Sequence, residues 1–190
     1  MPRQIPSLGY ALLGLIQQKP ASGYDLRKIF SSTSMKTYSD SPGAIYPALR
    51  RLERQQLIRS TIEQGAGLRR RRVFRLTASG LAELKKWIAA PVMREDMISG
   101  SENVVLRFAF SEQVAGPAAS LALLRSLETA LEPHLATLQK EYESLKKVAP
   151  TSGRLAFEYG LRGVEALLQW TQYAIKTYEK QIKSSGRRAS

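Results

Sequence analysis

Apolar positions in the first part of the chain follow helical spacing. Leucine and isoleucine side chains recur on one face of a helix over residues 7–18, and Lys19-Pro20 ends that helix. Ser22, with Asp25 three residues later, forms a capping-box pattern. We therefore predict that a second helix begins there, followed by a polar, serine-rich stretch.

A third helix is predicted to begin near Ser41-Pro42-Gly43 and to end at about Gln56. Pro42 suits the first turn of a helix, where no amide hydrogen bond is needed. Pro47 conflicts with this prediction unless the helix starts at about Ala44, because only then is a single backbone hydrogen bond lost.

Two strands follow in the pattern. They are predicted at residues 58–63 and 69–76, and a glycine-containing hairpin loop at 64–68 lies between them. Thr77 caps a fourth helix, which Pro91 stops. The order helix, helix, helix, strand, strand, helix is typical of a winged helix.

The second half of the chain shows only helical patterns, after a linker that extends to about Gly100. A short helix over residues 102–110 precedes a long one over 118–148, which Pro133 is expected to kink or restart. A last helix is predicted over residues 155–183.

The last helix carries an apolar stripe whose members alternate at spacings of four and three residues. The stripe consists of Phe157, Leu161, Val164, Leu168, Thr171, Ile175, Tyr178 and Ile182. This alternation is typical of a coiled-coil seam. It is either a dimer seam or a core-facing stripe within a monomer, and we expect the dimer seam, because so small a domain has little other core to cover long helices.

The predicted fold is mainly α with a small β-hairpin. An amino-terminal winged helix-turn-helix DNA-binding domain spans residues 1–92, and a carboxy-terminal helical dimerisation and effector domain spans 101–183. Residues 184–190 are predicted to be a disordered tail.

Composition supports a globular protein. The chain has 190 residues, 43% hydrophobic and 24% charged, which excludes global disorder. The longest uncharged stretch, from Gln4 to Gln18, is too short to span a bilayer, and we interpret it as a helix of the mature protein rather than a signal peptide. The chain contains no cysteine, so disulfides and thiol catalysis are excluded and the cytoplasm is the expected compartment.

The positive charge is unevenly distributed. The whole chain carries +13, from 29 basic and 16 acidic residues. Residues 1–92 hold 16 basic and 5 acidic residues, a net charge of +11, whereas residues 93–190 hold 13 and 11, a net charge of +2. This indicates a polyanion-binding module joined to a nearly neutral part. DNA, RNA and an anionic membrane are the candidate partners, and a solvated basic surface is the alternative.

The third predicted helix is apolar on one side and basic on the other. At 100° per residue, Ile45, Leu49 and Leu52 share the buried face. The opposite arc carries Tyr46, Arg50, Arg51 and Arg54. The planar fork of arginine pairs with guanine edges or with phosphate, and a tyrosine hydroxyl can bind phosphate.

The predicted hairpin is the second basic element. It carries four adjacent arginines, Arg69, Arg70, Arg71 and Arg72, with Arg75 close by. Like charges at this density repel one another unless an anion is near. Strand alternation puts Arg70 and Arg72 on one face and Arg69 and Arg71 on the other. A wing along a phosphate backbone is the expected use, and a solubilising loop is the alternative.

Residues for catalysis are scarce. The one histidine, His134, is expected to be a surface residue, and without cysteine a zinc site is improbable. We therefore expect neither an enzyme nor a cofactor site. Trp87 and Trp170 are candidates for stacking a small planar effector, with core packing as the alternative. Gly160 and Gly163 are attributed to close helix packing.

Specific motifs resemble the PadR family of bacterial transcriptional regulators. They are Gly23-Tyr24-Asp25-Leu26, Gly43-Ala44-Ile45-Tyr46-Pro47-Ala48-Leu49 leading into Arg51-Leu52-Glu53, and Arg72-Val73-Phe74-Arg75-Leu76-Thr77 with Gly80. The resemblance covers about residues 8–90, and a Tyr-Pro pair in the third helix is a family feature. It implies a dimer that binds operator DNA through winged helices, usually as a repressor. Some members respond to phenolic acids or drugs.

The chain departs from the family pattern at two places. Ala44 replaces the usual serine or threonine, which puts one phosphate contact in doubt, and Val73-Phe74 replaces a tyrosine pair, which puts hydroxyl contacts from the wing in doubt.

From residues and resemblance together we expect a homodimeric, sequence-specific repressor that acts on a near-palindromic operator in double-stranded DNA, with no membrane partner. The predicted DNA-contacting residues are Ser41, Gly43, Tyr46, Arg50, Arg51, Arg54, Arg69, Arg70, Arg71 and Arg72. Two alternatives stay open, namely a nonspecific or RNA-binding winged helix and a helical ligand-sensing or interaction protein.

Overall fold

Two compact units make up the chain, Met1–Trp87 and Ile88–Ser190. The structure is a computed structural model, and it describes residues 5–33, 35, 38, 41–64, 70–98 and 101–188. Among these residues, no helix combines the length and the apolar character needed to cross a bilayer.

The first unit has the predicted winged-helix order. Its elements are α1 (Ser7–Gln18), β1 (Ala21–Ser22), α2 (Gly23–Ser32), α3 (Pro42–Arg54), β2 (Ile58–Gln64), β3 (Arg70–Leu76) and α4 (Ala78–Ala89), whose last two residues belong to the second unit. The predicted capping box is present, because the amide of Asp25 donates to Ser22 Oγ at 3.2 Å and the amide of Ser22 donates to Asp25 Oδ2 at 3.0 Å.

The sheet has three strands rather than the two of the predicted hairpin. The strand order is β1-β3-β2, and both pairs are antiparallel. In the extra pair, Ala21 lies opposite Phe74 and Ser22 lies opposite Val73. A two-residue strand shows no alternation of apolar and polar positions, so the pattern could not predict it.

Helix α3 starts earlier than its second proline suggested. Ser41 caps it by accepting a hydrogen bond from the amide of Gly43 at 3.2 Å, and the helix begins at Pro42 rather than at Ala44. Pro47 therefore lies inside the helix. Only the carbonyl of Gly43 loses its amide donor, so the cost stays at one backbone bond.

The end of α3 is a tight turn. The amide of Leu57 donates to the carbonyl of Leu52 at 3.0 Å, and that of Gln56 donates to Glu53 at 2.9 Å, which together form a Schellman motif. Gln56 has φ +60°, a left-handed conformation that favours glycine. The chain then enters β2 directly, which brings the wing next to the carboxy-terminal end of α3.

The core of the first unit consists of buried side chains from its helices and from the sheet. Ile45, Leu49 and Leu52 are at most 2% exposed, so the predicted inward face of α3 is the buried one. Between α1 and α4, the ring of Tyr10 stacks on Trp87 with centroids 4.3 Å apart. Burial and the neighbouring Glu83 carboxylate, which accepts from the Tyr10 hydroxyl at 3.1 Å, raise the pKa of Tyr10 to about 12.

The second unit is entirely helical in its described part. It contains α5 (Arg94–Ile98), α6 (Glu102–Ala115), α7 (Pro117–Leu145) and α8 (Thr151–Arg188). Part of the expected linker is thus a short helix. Helix α7 continues through Pro133 without restarting. Helix α8 extends past residue 183 into the segment predicted to be a disordered tail.

Part of the apolar stripe of α8 packs against α7 within the chain. Thr171 is fully buried, and Val164 and Leu168 pack against buried leucines of α7. The ring of Phe157 stacks on Tyr142 of α7 with centroids 5.8 Å apart. The stripe belongs to a long helical hairpin in which α7 provides the covering surface, and this is the core-facing alternative.

Arg107 of α6 is a buried cation that the sequence did not reveal. It is 4% exposed and donates to the backbone carbonyls of Ile88 and Ala90, at the carboxy-terminal end of α4. Burial lowers its pKa from the ordinary arginine value. The negative end of the helix dipole offsets part of the cost of burying this charge.

We predict that Gln56→Gly stabilises the protein by about 0.5–1 kcal/mol, because glycine adopts positive φ without strain. The measurement is the urea midpoint of unfolding at constant slope. Gln55→Gly is the matched control, since Gln55 has φ −79° and the substitution there should destabilise. Equal effects at the two positions would refute the argument from backbone conformation.

Candidate nucleic-acid interface

The exposed side of α3 is basic, as predicted. Tyr46 is 40% exposed, and Arg50, Arg51 and Arg54 are exposed as well. Within the described part of the chain, none of these three arginines forms an ion pair. Their guanidinium groups are exposed to solvent.

The four side chains do not share one flank of the helix. Tyr46 and Arg50 line a groove of about 340 Å³ together with residues of α2 and β3. Arg51 lines a different cleft, of about 260 Å³, between α3 and the amino-terminal end of α1, where Gly9 contributes. Helical spacing placed these residues on one arc, whereas the neighbouring elements divide that arc in two.

The groove on the Tyr46 side depends on a close approach between α2 and α3. A Cβ atom on Gly23 would lie 2.5 Å from the Tyr46 ring, so only glycine fits beneath it. Tyr24 follows directly, is 62% exposed, and holds the Arg27 guanidinium 5.7 Å from its ring centroid. Tyr24 and Arg27 are not among the residues predicted from the sequence to contact DNA, although an aromatic residue just after a helix cap was a usable signal.

Three of the four predicted wing arginines lie in the described residues, and their surroundings differ. Arg70 is exposed and has no ion-pair partner among the described residues. Arg71 lies 3.9 Å from a carboxylate oxygen of Asp25. Arg69 falls outside the described residues.

Arg72 is bound to the end of α3. Its Nη2 donates to Glu53 Oε2 at 2.6 Å, and its Nε donates to the Ser60 hydroxyl at 2.8 Å. Ser60 in turn donates to Glu53 Oε1 at 2.6 Å. This Glu53–Ser60–Arg72 network joins α3, β2 and β3, so Arg72 positions the wing relative to α3.

The network is present at neutral pH. The hydrogen bond from Ser60 and the contact with Arg72 hold the pKa of Glu53 below its ordinary value. A lowered carboxyl pKa stabilises the fold above the unfolded-state pKa, and this contribution is lost as the pH falls through the folded-state pKa. Because Arg72 is half exposed, the ion pair itself contributes no more than about 1 kcal/mol.

The structure shows where the two departures from the family pattern lie. Val73 and Phe74 are 2% and 5% exposed, so side chains at these positions belong to the core of the unit. Ala44 lines the α1 cleft with Arg51 and lies away from the groove that contains Tyr46.

The two predicted effector-binding tryptophans lie in different units and have different surroundings. Trp87 stacks on Tyr10 in the first unit. Trp170 packs edge-on against Phe108 in the second unit, with centroids 5.3 Å apart. No group of three or more histidine, aspartate or glutamate side chains in the described part of the chain is arranged to hold a metal ion.

The sequence profile of the PadR-like family of transcriptional regulators matches residues 12–86, which include α2, α3 and both long strands. The match covers 75 of the 190 residues, and it is this part of the chain that is similar to the family. The PadR-like match thus lies within the first unit, where the basic groove and the wing are found.

Two curated proteins are similar to part of this chain. The negative transcriptional regulator PadR of Bacillus subtilis is 37% identical over 83 residues, which are 43% of this chain and 44% of that protein. The probable transcriptional regulator Rv1176c of Mycobacterium tuberculosis is 30% identical over 86 residues, 45% of this chain and 46% of that protein. The match therefore spans less than half the length of either relative.

The solved structures that resemble this chain have lower sequence identity than the two curated proteins. Bacillus subtilis PadR in complex with operator DNA gives a TM-score of 0.42 at 22% identity, covering 91% of this chain and 99% of that chain. The PadR-like regulator BC1756 of Bacillus cereus gives 0.40 at 20% identity, covering 94% and 99%.

We predict that Arg70 and Arg72 respond differently when the salt dependence of DNA binding is measured. Arg70→Gln should reduce the slope of log affinity against log salt by about one, because the Arg70 guanidinium, which has no ion-pair partner among the described residues, is expected to contact a phosphate. Arg72→Gln should weaken binding with little change in this slope, because its charge is already bound to Glu53. Fluorescence anisotropy on a short labelled duplex gives both values. A slope change of about one for Arg72→Gln would show that this arginine leaves Glu53 to bind phosphate.

Proposed function

We propose that this PadR-like chain is a cytoplasmic, sequence-specific DNA-binding transcriptional repressor that acts as a homodimer on a near-palindromic operator. Its DNA-contacting surface is the exposed side of α3 with the wing, and Tyr24 and Arg27 extend it along α2.

The observation that carries the proposal is a set of exposed cations, without ion pairs among the described residues, on a helix and a strand that are held together. Arg50, Arg54 and Arg70 have no ion pair in the described part of the chain, while the Glu53–Ser60–Arg72 network fixes the wing to α3. A helix of this width fits the major groove, and arginine reads guanine there. The wing is then positioned to bind the adjacent phosphates.

Specific binding is tested with labelled DNA from upstream of the gene for this protein and with scrambled DNA of equal length. Anisotropy at low and at physiological salt should show tight binding to the upstream fragment alone that survives the higher salt. Equal binding to both fragments that collapses with salt would replace the proposal with a nonspecific winged helix. No binding to either fragment at low salt would refute nucleic-acid binding by this basic surface.

Arg50→Ala should weaken binding to the specific fragment by about 1–3 kcal/mol and affect scrambled DNA much less, because a base contact is lost. Lys85→Ala on α4 is the matched control, since it removes one positive charge from the same unit outside the proposed surface. Equal weakening on both fragments would assign Arg50 to phosphate alone.

The dimer is proposed on the face of α8 opposite the buried stripe. Tyr159 and Tyr173 are 84% and 69% exposed there, and Leu155 is 60% exposed. Gly163 is exposed and meets no heavy atom within 4 Å of an added Cβ, which leaves room for a helix of a second copy. Gly160 lies beside the stripe, between Phe157 and Val164 in helical spacing, and is equally open. The close packing inferred for the two glycines is therefore not made among the described residues.

Light scattering after size exclusion should give twice the 21.2 kDa of the chain. Tyr159→Arg should give a folded monomer, because an interface would have to desolvate the new charge. Leu161→Ala should keep the dimer mass while lowering the free energy of unfolding by about 2 kcal/mol or more, because Leu161 is buried within the chain. The reverse result, a monomer with Leu161→Ala only, would restore the original seam.

A further inference from the structure

The carboxy-terminal end of α8 holds the excess positive charge of the second half of the chain. Residues 176–190 hold 5 basic and 1 acidic residues, a net charge of +4, whereas residues 93–175 hold 8 and 10, a net charge of −2. Three of the basic residues recur at spacings of four and three and form what we call the lysine stripe, which consists of Lys176, Lys180 and Lys183. At 100° per residue they fall within about 60° of arc, so they share one face of the helix.

The lysine stripe is exposed, and none of its members forms an ion pair among the described residues. Glu179 is the one acidic residue of the chain after position 165, and it binds Arg125 of α7, with Nη2 and Oε1 3.0 Å apart. Nearer the start of α8 a cation is neutralised within the helix, because Arg162 Nη2 lies 2.6 Å from Glu158 Oε1. The lysine stripe therefore differs from the rest of α8 in having charges of one sign without nearby carboxylate partners.

Helix stability does not account for the lysine stripe. Like charges three and four residues apart repel each other along a helix. The helix dipole favours cations only within the last turn. Because α8 ends at Arg188, Lys176 and Lys180 lie more than two turns before that end. A stripe that gains nothing from its own helix favours a polyanionic partner.

Double-stranded DNA fits the lysine stripe better than a membrane surface does. A helix that lies in a membrane interface needs a free apolar face. The apolar side of this part of α8 is buried, since Ala174 and Ile175 are 7% and 9% exposed and pack against Leu124 of α7. The stripe spans about 10 Å of helix, and a duplex presents one phosphate charge about every 1.7 Å of its axis. Each lysine therefore has a phosphate within reach on such a partner.

We propose that the lysine stripe is a second DNA-contacting surface, which binds phosphates of double-stranded DNA without regard to sequence. An ammonium group is a compact charge that lacks the planar fork with which arginine reads guanine. Phosphate contacts carry no sequence information. The inference rests on the proposed function for the identity of the polyanion, and it concerns residues of the second unit alone.

The test is the salt dependence of DNA binding by the full chain, measured by fluorescence anisotropy on the upstream duplex and on the scrambled duplex. The stripe variant combines Lys176→Gln, Lys180→Gln and Lys183→Gln. The control variant removes three exposed lysines at the other end of the α7–α8 hairpin, so both variants lose the same net charge. It combines Lys140→Gln, Lys146→Gln and Lys147→Gln.

The stripe variant should reduce the slope of log affinity against log salt by about 2–3 on both duplexes, because up to three phosphate contacts are lost at about 0.9 each. The ratio of the two affinities should stay unchanged, since these contacts do not read bases. The control variant should keep the slope of the unchanged protein. Both variants should keep its melting temperature and its mass in light scattering, because all the replaced side chains are exposed.

An unchanged slope in the stripe variant would overturn the proposal, and so would an equal loss of slope in the control variant, which would report net charge alone. Cosedimentation with phosphatidylserine–phosphatidylcholine vesicles that only the stripe variant loses, at an unchanged duplex slope, would assign the lysines to a membrane surface instead. Failure of the proposed function gives a separate result. A chain that binds both duplexes equally refutes sequence-specific repression, while the difference in slope between the stripe and control variants still decides this proposal.

Discussion

The pairing of a few carboxylates with an excess of cations is the constraint on which the basic surface of the first unit depends. Residues 1–92 carry +11 with five carboxylates, and the four that the structure describes all act at connections between elements. Asp25 closes the start of α2, and Glu53 joins α3 to the sheet. Glu63 pairs with Arg75 across the two strands, and Glu83 holds the Tyr10 hydroxyl between α1 and α4. Asp25, Glu53 and Glu63 each lie next to an arginine of β3, whereas Glu83 accepts from a neutral hydroxyl. The remaining positive charge lies on the outer surface.

This use of the carboxylates decides which cations can meet a polyanion. Arg72 and Arg75 are bound to carboxylates and fix the wing, whereas Arg50, Arg54 and Arg70 have no such partner among the described residues. An ion pair on a half-exposed surface adds little stability. The value of the Glu53–Ser60–Arg72 network is geometric, because it sets the position of the wing beside α3. It thereby sets the distance between the exposed arginines of α3 and those of the wing.

Local features of the first unit were predictable. The bounds of α1, the capping box at Ser22 and the inward face of α3 depend on neighbours within one or two turns, so spacing and side-chain chemistry suffice. Strand β1 and helix α5 are too short to leave a periodic signal. Pro133 shows a different limit, because a proline inside a long, well-packed helix costs one backbone bond that the packing of α7 against α8 outweighs.

By itself, the sequence determined that α8 has an apolar stripe that must be covered, and that the first unit is rich in arginine on one helix and one strand. Only the tertiary structure decided that α7 of the same chain covers the stripe, and that Arg72 donates a hydrogen bond to Glu53, 19 positions away. The physical reason is the same in both cases. Burial is satisfied by any apolar surface and a cation by any nearby anion, so a pattern along the chain specifies the need, whereas the fold selects the partner that meets it.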